Sequence, residues 1–281
     1  MRVSGFTFCR NAVKYDYPVV EAIRSVLPWV DEFVVNIGEC DDGTLELVER
    51  IGDPKVRILR TVWDENLRQD GLIYAQQTNI ALRGCTGDWA FYLQADEVIH
   101  EADVPAIWAA MERSLPETDV LGLMFRYLHF EGDYWSVNPW AYRREIRIIR
   151  NDGRVRSHGD ACGFAAVEDG ADVKRGPASR WRWSGGRIFH YGWVKAPDVF
   201  IRKVQHQITH YHGETPPPEQ AHLCRMEAYD FPRYESLREF QGSHPAVMAE
   251  RVGRARRLRP RRNRWLNWRF YREVFTHGFK G

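Results

Sequence analysis

Between Val3 and Leu93 the chain alternates short apolar runs with amphipathic stretches of helical period, and few folds accommodate that order. Val3–Phe8, Phe33–Ile37, Val56–Leu59 and Ala90–Leu93 read as strands. Between them, Val19 to Val30 places Val19, Ile23, Val26 and Leu27 on one face. Thr44–Ile51 is opened by Asp42-Gly43 and closed by Gly52, and Ile73–Leu82 turns Ile73, Gln77, Ile80 and Ala81 inward. Strands joined through helices are parallel, and right-handed crossovers put helices on both faces of the sheet. The expected class is α/β: a Rossmann-like, mostly parallel sheet flanked by helices.

The fourth strand carries the sharpest functional signal. Trp89-Ala90-Phe91-Tyr92-Leu93 is an apolar run that ends in Gln94-Ala95-Asp96-Glu97. In open parallel sheets ligands bind beyond the carboxyl ends of the strands. A carboxylate there can hold a hard cation that grips a diphosphate. The plainer alternative makes Asp96 and Glu97 turn residues capping the next helix.

After about residue 100 the pattern changes. Val104–Arg113 reads as a helix, Val120–Phe130, Glu145–Arg150 and Ile188–Val194 as strands, and Val199–His210 as a helix. Gly213-Glu214-Thr215-Pro216-Pro217-Pro218 is a break. This divides the chain into 1–212 and a helical, Arg-rich C-terminal extension, 213–281, with helices expected at Gln220–Tyr229 and Ser236–Arg251. From Arg251 onward arginines recur against a single acid, Glu273, with Trp265, Trp268, Tyr271 and Phe275 at helical spacing.

Composition removes several classes. Of 281 residues, 44% are hydrophobic, enough for a substantial core, and the 13% aromatic content argues against disorder. The formal net charge of +2 gives no polyanion bias, so nucleic acid is not an expected partner. The five cysteines, Cys9, Cys40, Cys85, Cys162 and Cys224, form no CxxC pair, so neither a disulfide framework nor a thiolate zinc site is expected, and a reducing cytoplasm fits. The first residues run into a strand without a signal-peptide core, and no apolar stretch approaches the ~20 residues of a membrane span.

Four segments now stand in a familiar order: Val3 to Asn11, Val34-Val35-Asn36-Ile37-Gly38-Glu39-Cys40-Asp41-Asp42-Gly43-Thr44, Gln76 to Leu82, and Gly87-Asp88-Trp89 through Asp96-Glu97. Their order and spacing over residues 3–200 resemble the family 2 glycosyltransferases, whose fold is the GT-A type. The resemblance implies a nucleotide-sugar donor, a UDP-sugar ahead of GDP- or dTDP-sugars, and a divalent metal, Mn²⁺ or Mg²⁺. The family has Asp-x-Asp or a close variant after the fourth strand; here Gln94-Ala95-Asp96 stands there, so Asp96 carries over as the metal and diphosphate contact. Gln94, with Ala95 beside it, can still hydrogen-bond a ribose or sugar hydroxyl.

By the same resemblance Phe6, Arg10 and Asn11 line the base pocket, with Asn36, Asp42 and Gln77 also on the donor. A strand-end turn with a paired Arg is the ordinary alternative for the first group, and a helix cap for Asp42. Glu145-Ile146-Arg147-Ile148-Ile149-Arg150 followed by Ser157-His158-Gly159-Asp160 resembles the family's Arg-rich strand before a catalytic acid. Asp160 is therefore the expected base of an inverting transfer, with Asp133 and Glu131 as rivals. His190, at a strand end before Gly192, is a second metal ligand by resemblance. Asp133, Tyr134 and Trp135 sit in a loop-like stretch suited to acceptor contact. His206, His210 and His212 read as a solvated or acceptor-facing surface.

The expected activity is transfer of a sugar to a glycan, lipid-linked or other envelope acceptor. The basic aromatic tail would lie on an anionic membrane surface at its cytoplasmic side. A nucleotidyltransferase shares a metal-bound acid on such a sheet, but Ser4-Gly5-Phe6-Thr7 is no Gly-rich phosphate loop. A non-catalytic nucleotide-sugar-binding protein is the other alternative, suggested by Gln94.

Overall fold

A computed structural model describes residues 1–67, 69–141, 143–212, 215–229, 231, 237–257 and tail positions 268, 271, 272 and 275. In chain order the elements are β1 (Val3–Cys9), α1 (Val19–Val26), β2 (Glu32–Gly38), α2 (Thr44–Glu49), β3 (Val56–Thr61), α3 (Leu72–Arg83), β4 (Trp89–Tyr92), β5 (Glu97–Ile99) and α4 (Val104–Ser114). Then follow β6 (Gly122–Glu131), β7 (Ser136–Val137), β8 (Arg144–Arg150), β9 (Val155–His158), β10 (Gly163–Ala166), β11 (Trp181–Trp193), α5 (Pro197–His212), β12 (Arg238–Glu239) and α6 (Ala249–Arg254).

The protein is a mixed α/β structure. Strands β3-β2-β1-β4 run parallel in that order, so the chain steps outward from the centre in both directions. Beyond β4 the sheet becomes mixed: β8 is antiparallel to β4 and β6, while β11 lies parallel to β6 and antiparallel to β5. The mixed half follows from the connections: β6 reaches β8 without the helical crossover that a parallel neighbour needs.

Alternation along the strands builds two cores, one on each face of the sheet. Phe33, Val35 and Ile37 of β2, with Trp89, Phe91 and Leu93, pack against α1 and α4. Phe6, Val34, Ala90 and Tyr92 point the other way, onto Ala81 and Leu82 of α3 and onto Ile146 and Phe164. Each fully buried aromatic or aliphatic side chain of this kind contributes about 1.5–3 kcal/mol.

Three polar clamps inside this frame position the loops at the carboxyl ends of the strands. The first is Glu97 with Arg147, both wholly buried. The guanidinium donates from Nε to Oε2 and from Nη2 to Oε1, each at 2.8 Å, and Tyr127 Oη donates to Oε1 at 2.7 Å. Glu97 Oε2 also accepts from the Gln94 backbone N–H at 3.1 Å, which fixes the turn after β4. The second clamp joins β2, β3 and α3: Asn36 Nδ2 donates to Gln77 Oε1 at 2.8 Å, and Thr61 Oγ1 donates to the same oxygen at 2.7 Å. The third is reciprocal. Asn79 Nδ2 donates to the Ser157 carbonyl at 2.9 Å and Asn79 Oδ1 accepts from the Ser157 N–H at 2.8 Å, docking β9 on α3.

The C-terminal segment differs from expectation. Residues 220–229 form turns with a short 3-10 stretch at Leu223–Arg225. Within 237–254, β12 pairs with β7, and a helix covers only Ala249–Arg254. Proline and aromatic contacts override the helical periodicity here: Phe240 and Met248 join Phe130, Phe189 and Tyr191 in a third cluster. Arg251 is tied to Asp16 and Glu21, both at 2.7 Å. Farther on, Trp268, Tyr271 and Phe275 are helical and exposed, whereas Trp265 and the arginines from 259 to 269 lie outside the described residues.

Removing one partner of a buried ion pair strands a charge in the interior. Arg147→Met should therefore lower unfolding free energy by about 3–5 kcal/mol in denaturant titration. The Glu97→Leu/Arg147→Met double variant should recover much of that loss; a double variant as unstable as the single would argue against an isolated-charge cost.

Candidate functional site: a cleft at the carboxyl ends of β1 and β4

A cleft of about 260 Å³ opens where β1 and β4 end. Its lining joins Arg10 after β1, Gln94, Ala95 and Asp96 after β4, Asp160 after β9, His190 of β11, and Lys203, His206, Gln207 and Tyr211 of α5. Residues separated by about two hundred positions meet there: β1 and β4 are neighbours in the sheet, Asp160 comes from the separate β9–β10 ribbon, and α5 supplies the remaining side.

One wall is aromatic. Phe8, Trp63 and Tyr74 form a cluster with centroid separations of 5.7–6.0 Å, and the Arg10 guanidinium lies 5.2 Å from the Trp63 ring centre. Arg10 also donates from Nε to the Glu39 carbonyl at 3.0 Å. A flat ring system with a cation beside it suits a heteroaromatic base.

The opposite wall is charged. Asp96 is 7% exposed. Lys203 Nζ lies 3.7 Å from Asp96 Oδ2, and His190 Nε2 lies 3.6 Å from Oδ1. Lys203 Nζ also donates to the Gly192 carbonyl at 3.1 Å. Gly192 is required by this closeness, because a Cβ there would collide with Asp96 Oδ2 and the His190 ring. Behind His190, His129 Nδ1 faces His190 Nδ1 at 2.7 Å, so one ring donates and the other accepts. Lys195 is buried too; its Nζ donates to the Asp16 carbonyl at 2.8 Å and sits 4.4 Å from the Tyr17 ring centre.

Burial alone would raise the Asp96 carboxyl, but the neighbouring His190 ring and the ammonium groups of Lys203 and Lys195 more than offset it and hold the acid below its usual range. Burial pushes His190 downward against the pull of Asp96 and Glu97, and pushes His129 down to about 2. Burial pushes Lys203 downward. Lys195, desolvated and next to Lys203, falls to about 7.

The third wall is the loop with Asp160. Asp160 Oδ1 accepts from the Cys162 N–H at 3.2 Å, and Ala161 between them is left-handed, with φ 64°. A non-glycine residue in that region costs on the order of 1 kcal/mol or more. Gly71, with φ +70°, passes so close that a Cβ would press on Asp160 and Tyr211.

Of the residues expected at the site, the donor contacts Arg10, Gln94 and Ala95, the metal ligands Asp96 and His190, and the base Asp160 line this cleft. Others stand elsewhere. Phe6 is wholly buried against Tyr92, with centroids 5.1 Å apart; Phe8, two residues along the same strand face, reaches the cleft instead. Asn36 and Gln77 are consumed by the clamp between β2 and α3. Asn11, left-handed at φ 53°, accepts from the Asp41 N–H at 3.4 Å and holds the turn beside the cleft. Asp42 accepts from Thr44 N–H at 3.0 Å, from Thr44 Oγ1 at 2.6 Å and from the Lys14 N–H at 2.7 Å, holding the turn that leads into α2, whose N-cap is Gly43.

Asp133, Tyr134 and Trp135 lie at the third apolar cluster rather than in the cleft lining. Asp133 Oδ1 accepts from the Trp135 N–H at 2.9 Å, Tyr134 packs on Tyr191, and Arg257 lies over the Trp135 ring. Glu131 is wholly buried and accepts from Asn138 at 2.8 Å. His206 and His210 are not a solvated face: His206 stacks on Tyr15 in the cleft, and His210 is buried against Tyr74.

Lys203, Tyr74, Trp63 and Tyr211 were not anticipated. The signal for Lys203 was available in the spacing Lys203, His206, Gln207, His210, Tyr211, which is one polar face of a helix. Taken alone, such a face reads as solvent-facing.

The expectation of a resident divalent ion meets a difficulty here. Asp96 and His190 could each give one ligand, but among the described residues no group of three or more His, Cys, Asp and Glu side chains could hold a metal ion. The second Asp96 oxygen already faces the Lys203 ammonium. A dication bound at Asp96 would sit against that charge, so the donor set does not fit it.

The sequence matches no protein-family model and no curated protein. Among solved structures, S. aureus TarS is 13% identical over 79% of this chain and 41% of its own, with a TM-score of 0.42. TarS 1–349 in complex with UDP-GlcNAc is 15% identical over 79% of this chain and 69% of its own, TM-score 0.41. Glucosyl-3-phosphoglycerate synthase from Mycobacterium tuberculosis, in complex with Mn²⁺, UDP and phosphoglyceric acid, is 13% identical over 57% and 61%, TM-score 0.37. The chain thus spans less than half of full-length TarS, and no residue is assigned from these likenesses.

The depressed Lys195 ammonium gives a pH signature. Its unfolded value is 10.5 and its folded value about 7, so above pH 7 the unfolded chain binds more protons and stability rises with pH. Buried thiols such as Cys85, pushed up to about 12, act oppositely from about pH 9. The difference between wild type and Lys195→Met isolates the lysine. Wild type should gain stability relative to the variant between pH 6.5 and 8.5 in denaturant melts, and parallel profiles would contradict the assignment.

Proposed function

We propose that this protein is a glycosyltransferase of the GT-A type, related to family 2, that moves a sugar from a nucleotide-sugar donor with inversion. The observation that supports this best is the cleft at the strand ends, with an aromatic wall and Arg10 on one side, the Asp96 wall on another, and Asp160 on a third. In this reading the base stacks on Phe8, Trp63 and Tyr74, and the diphosphate lies toward Asp96 and its cationic neighbours. Gln94 and Ala95 border the sugar. UDP is the favoured nucleotide, with GDP and dTDP as alternatives.

Asp160 is the base. It takes the proton of an acceptor hydroxyl as that oxygen bonds to the anomeric carbon, while the bond from that carbon to the diphosphate breaks on the opposite face. Asp160 is exposed at the cleft wall, so an acceptor can reach it, whereas Glu131 and Asp133 are buried in the other cluster. The acceptor is a glycan, lipid-linked or other envelope molecule. Exposed Trp268, Tyr271 and Phe275 would rest on an anionic membrane surface, with the protein on its cytoplasmic side.

Asp160→Asn keeps the shape and removes the basicity. Transfer should fall by about 10²–10⁴-fold while donor affinity, read by calorimetry, changes little. Near-normal turnover would remove Asp160 from the role. Asp96→Asn should weaken donor binding itself. Because Asp96 is the counter-charge of a buried lysine, Asp96→Ala should also lower the melting temperature.

A further inference from the structure

We propose that Lys203 is the cation that receives the donor diphosphate, bridging it to Asp96 in the place a divalent metal would take, so that donor binding needs no metal ion. The inference rests on the glycosyltransferase reading above and deepens it. A bare buried carboxylate repels a diphosphate, so a carboxylate at this point of the cleft is useful only with a positive charge between the two. The structure supplies that charge from the chain. Lys203 Nζ lies 3.7 Å from Asp96 Oδ2 and is itself part of the cleft lining.

The ammonium is held from three sides. Asp96 faces it, the Gly192 carbonyl accepts from it at 3.1 Å, and the Tyr17 ring centre lies 5.0 Å away. With three donors, an ammonium bound to Asp96 and Gly192 has one left to aim at an entering oxygen. The Lys203 side chain is 9% exposed, so its field acts in a poorly solvated place. Lys195 also lies near the Tyr17 ring, 4.4 Å from its centre, and is not part of the lining. The geometry also explains the need for Gly192: its bare Cα leaves Asp96 and Lys203 room to meet. Lys203 enters on α5, whose polar face follows it with His206 and Gln207, so the helix is oriented by the cleft it walls.

Calorimetric titration of the full chain with UDP, GDP and dTDP, first in EDTA and then with Mn²⁺, tests this. One nucleoside diphosphate should bind in EDTA with an affinity within about threefold of that with Mn²⁺. Lys203→Met should weaken that diphosphate by about tenfold or more, one factor of ten being 1.4 kcal/mol, while the corresponding nucleoside binds as to wild type. Lys203→Arg, which keeps the charge, should retain most of the affinity. Binding that collapses in EDTA overturns the inference and leaves the glycosyltransferase reading standing. Full diphosphate affinity in folded Lys203→Met does the same, since Lys203 would then be only a structural partner of Asp96. Failure of all three diphosphates to bind under either condition overturns both. The EDTA comparison needs wild type only, so it decides the matter even if Lys203→Met does not fold.

Discussion

The buried pair between Glu97 and Arg147 organises this molecule. Glu97 follows Asp96 directly, begins β5, and accepts from Arg147, Tyr127 and the Gln94 backbone. Arg147 in turn donates to the carbonyls of Ile146 and Cys162. One ion pair thus links the turn after β4, strands β6 and β8, and the segment after Asp160. Desolvating two charges is costly, and a pair of this kind persists only when its geometry is near ideal and its remaining valences are filled. What it secures is position: Asp96 and the Asp160 loop are fixed relative to one another by a contact that neither of them makes.

Asp96 is then free for a different task. Of two adjacent carboxylates, one is spent wholly on structure and the other faces a cleft. The division follows the turn after β4: Asp96 lies within the turn that the Glu97 N–H closes on the Gln94 carbonyl at 3.0 Å, and Glu97 opens β5. The lysines complete the contrast. Lys203 and Lys195 are among the most buried cations of the described residues, and their desolvation is offset by Asp96, two backbone carbonyls and the Tyr17 ring. A compact ammonium on a flexible stem can remain bound to a carboxylate while turning a free N–H toward a ligand, which a guanidinium fork does less readily.

The aromatic wall depends on a separate constraint. Tyr74 is held by α3, and α3 is held to the sheet by Gln77 through Asn36 and Thr61. The same helix grips β9 through Asn79 and so carries the other side of the cleft. Polar residues that invite a ligand-binding reading are here the mortar between elements. A buried network of this kind rigidifies the helix on the sheet, and amide oxygens already accepting within it are spent on structure.

The sequence by itself determined the α/β class and the four parallel strands with their helices, and it singled out the turn after β4, which the structure places at the cleft. These follow from local periodicity and from the abrupt change from Leu93 to Asp96, both properties of neighbouring residues. It also singled out Arg10, Asp160 and His190, which the structure brings to one cleft. Only the tertiary structure decided which polar residue serves the cleft and which serves the frame. Asn36, Asp42 and Gln77 look like donor contacts until their partners are seen, and a turn-holding acid or a buried amide pair is spelled with the same letters. Lys203 was the reverse case. Its helical spacing says only that one face is polar, and whether that face meets water or a carboxylate a hundred residues earlier depends on how α5 lies against β11. Phe8 and Phe6 share a strand face, and just the depth of the cleft separates a wall from a core. The helix expected over 236–251 is cut back to the short α6 for a similar reason: Phe240 and Met248 pack into the cluster around Phe130.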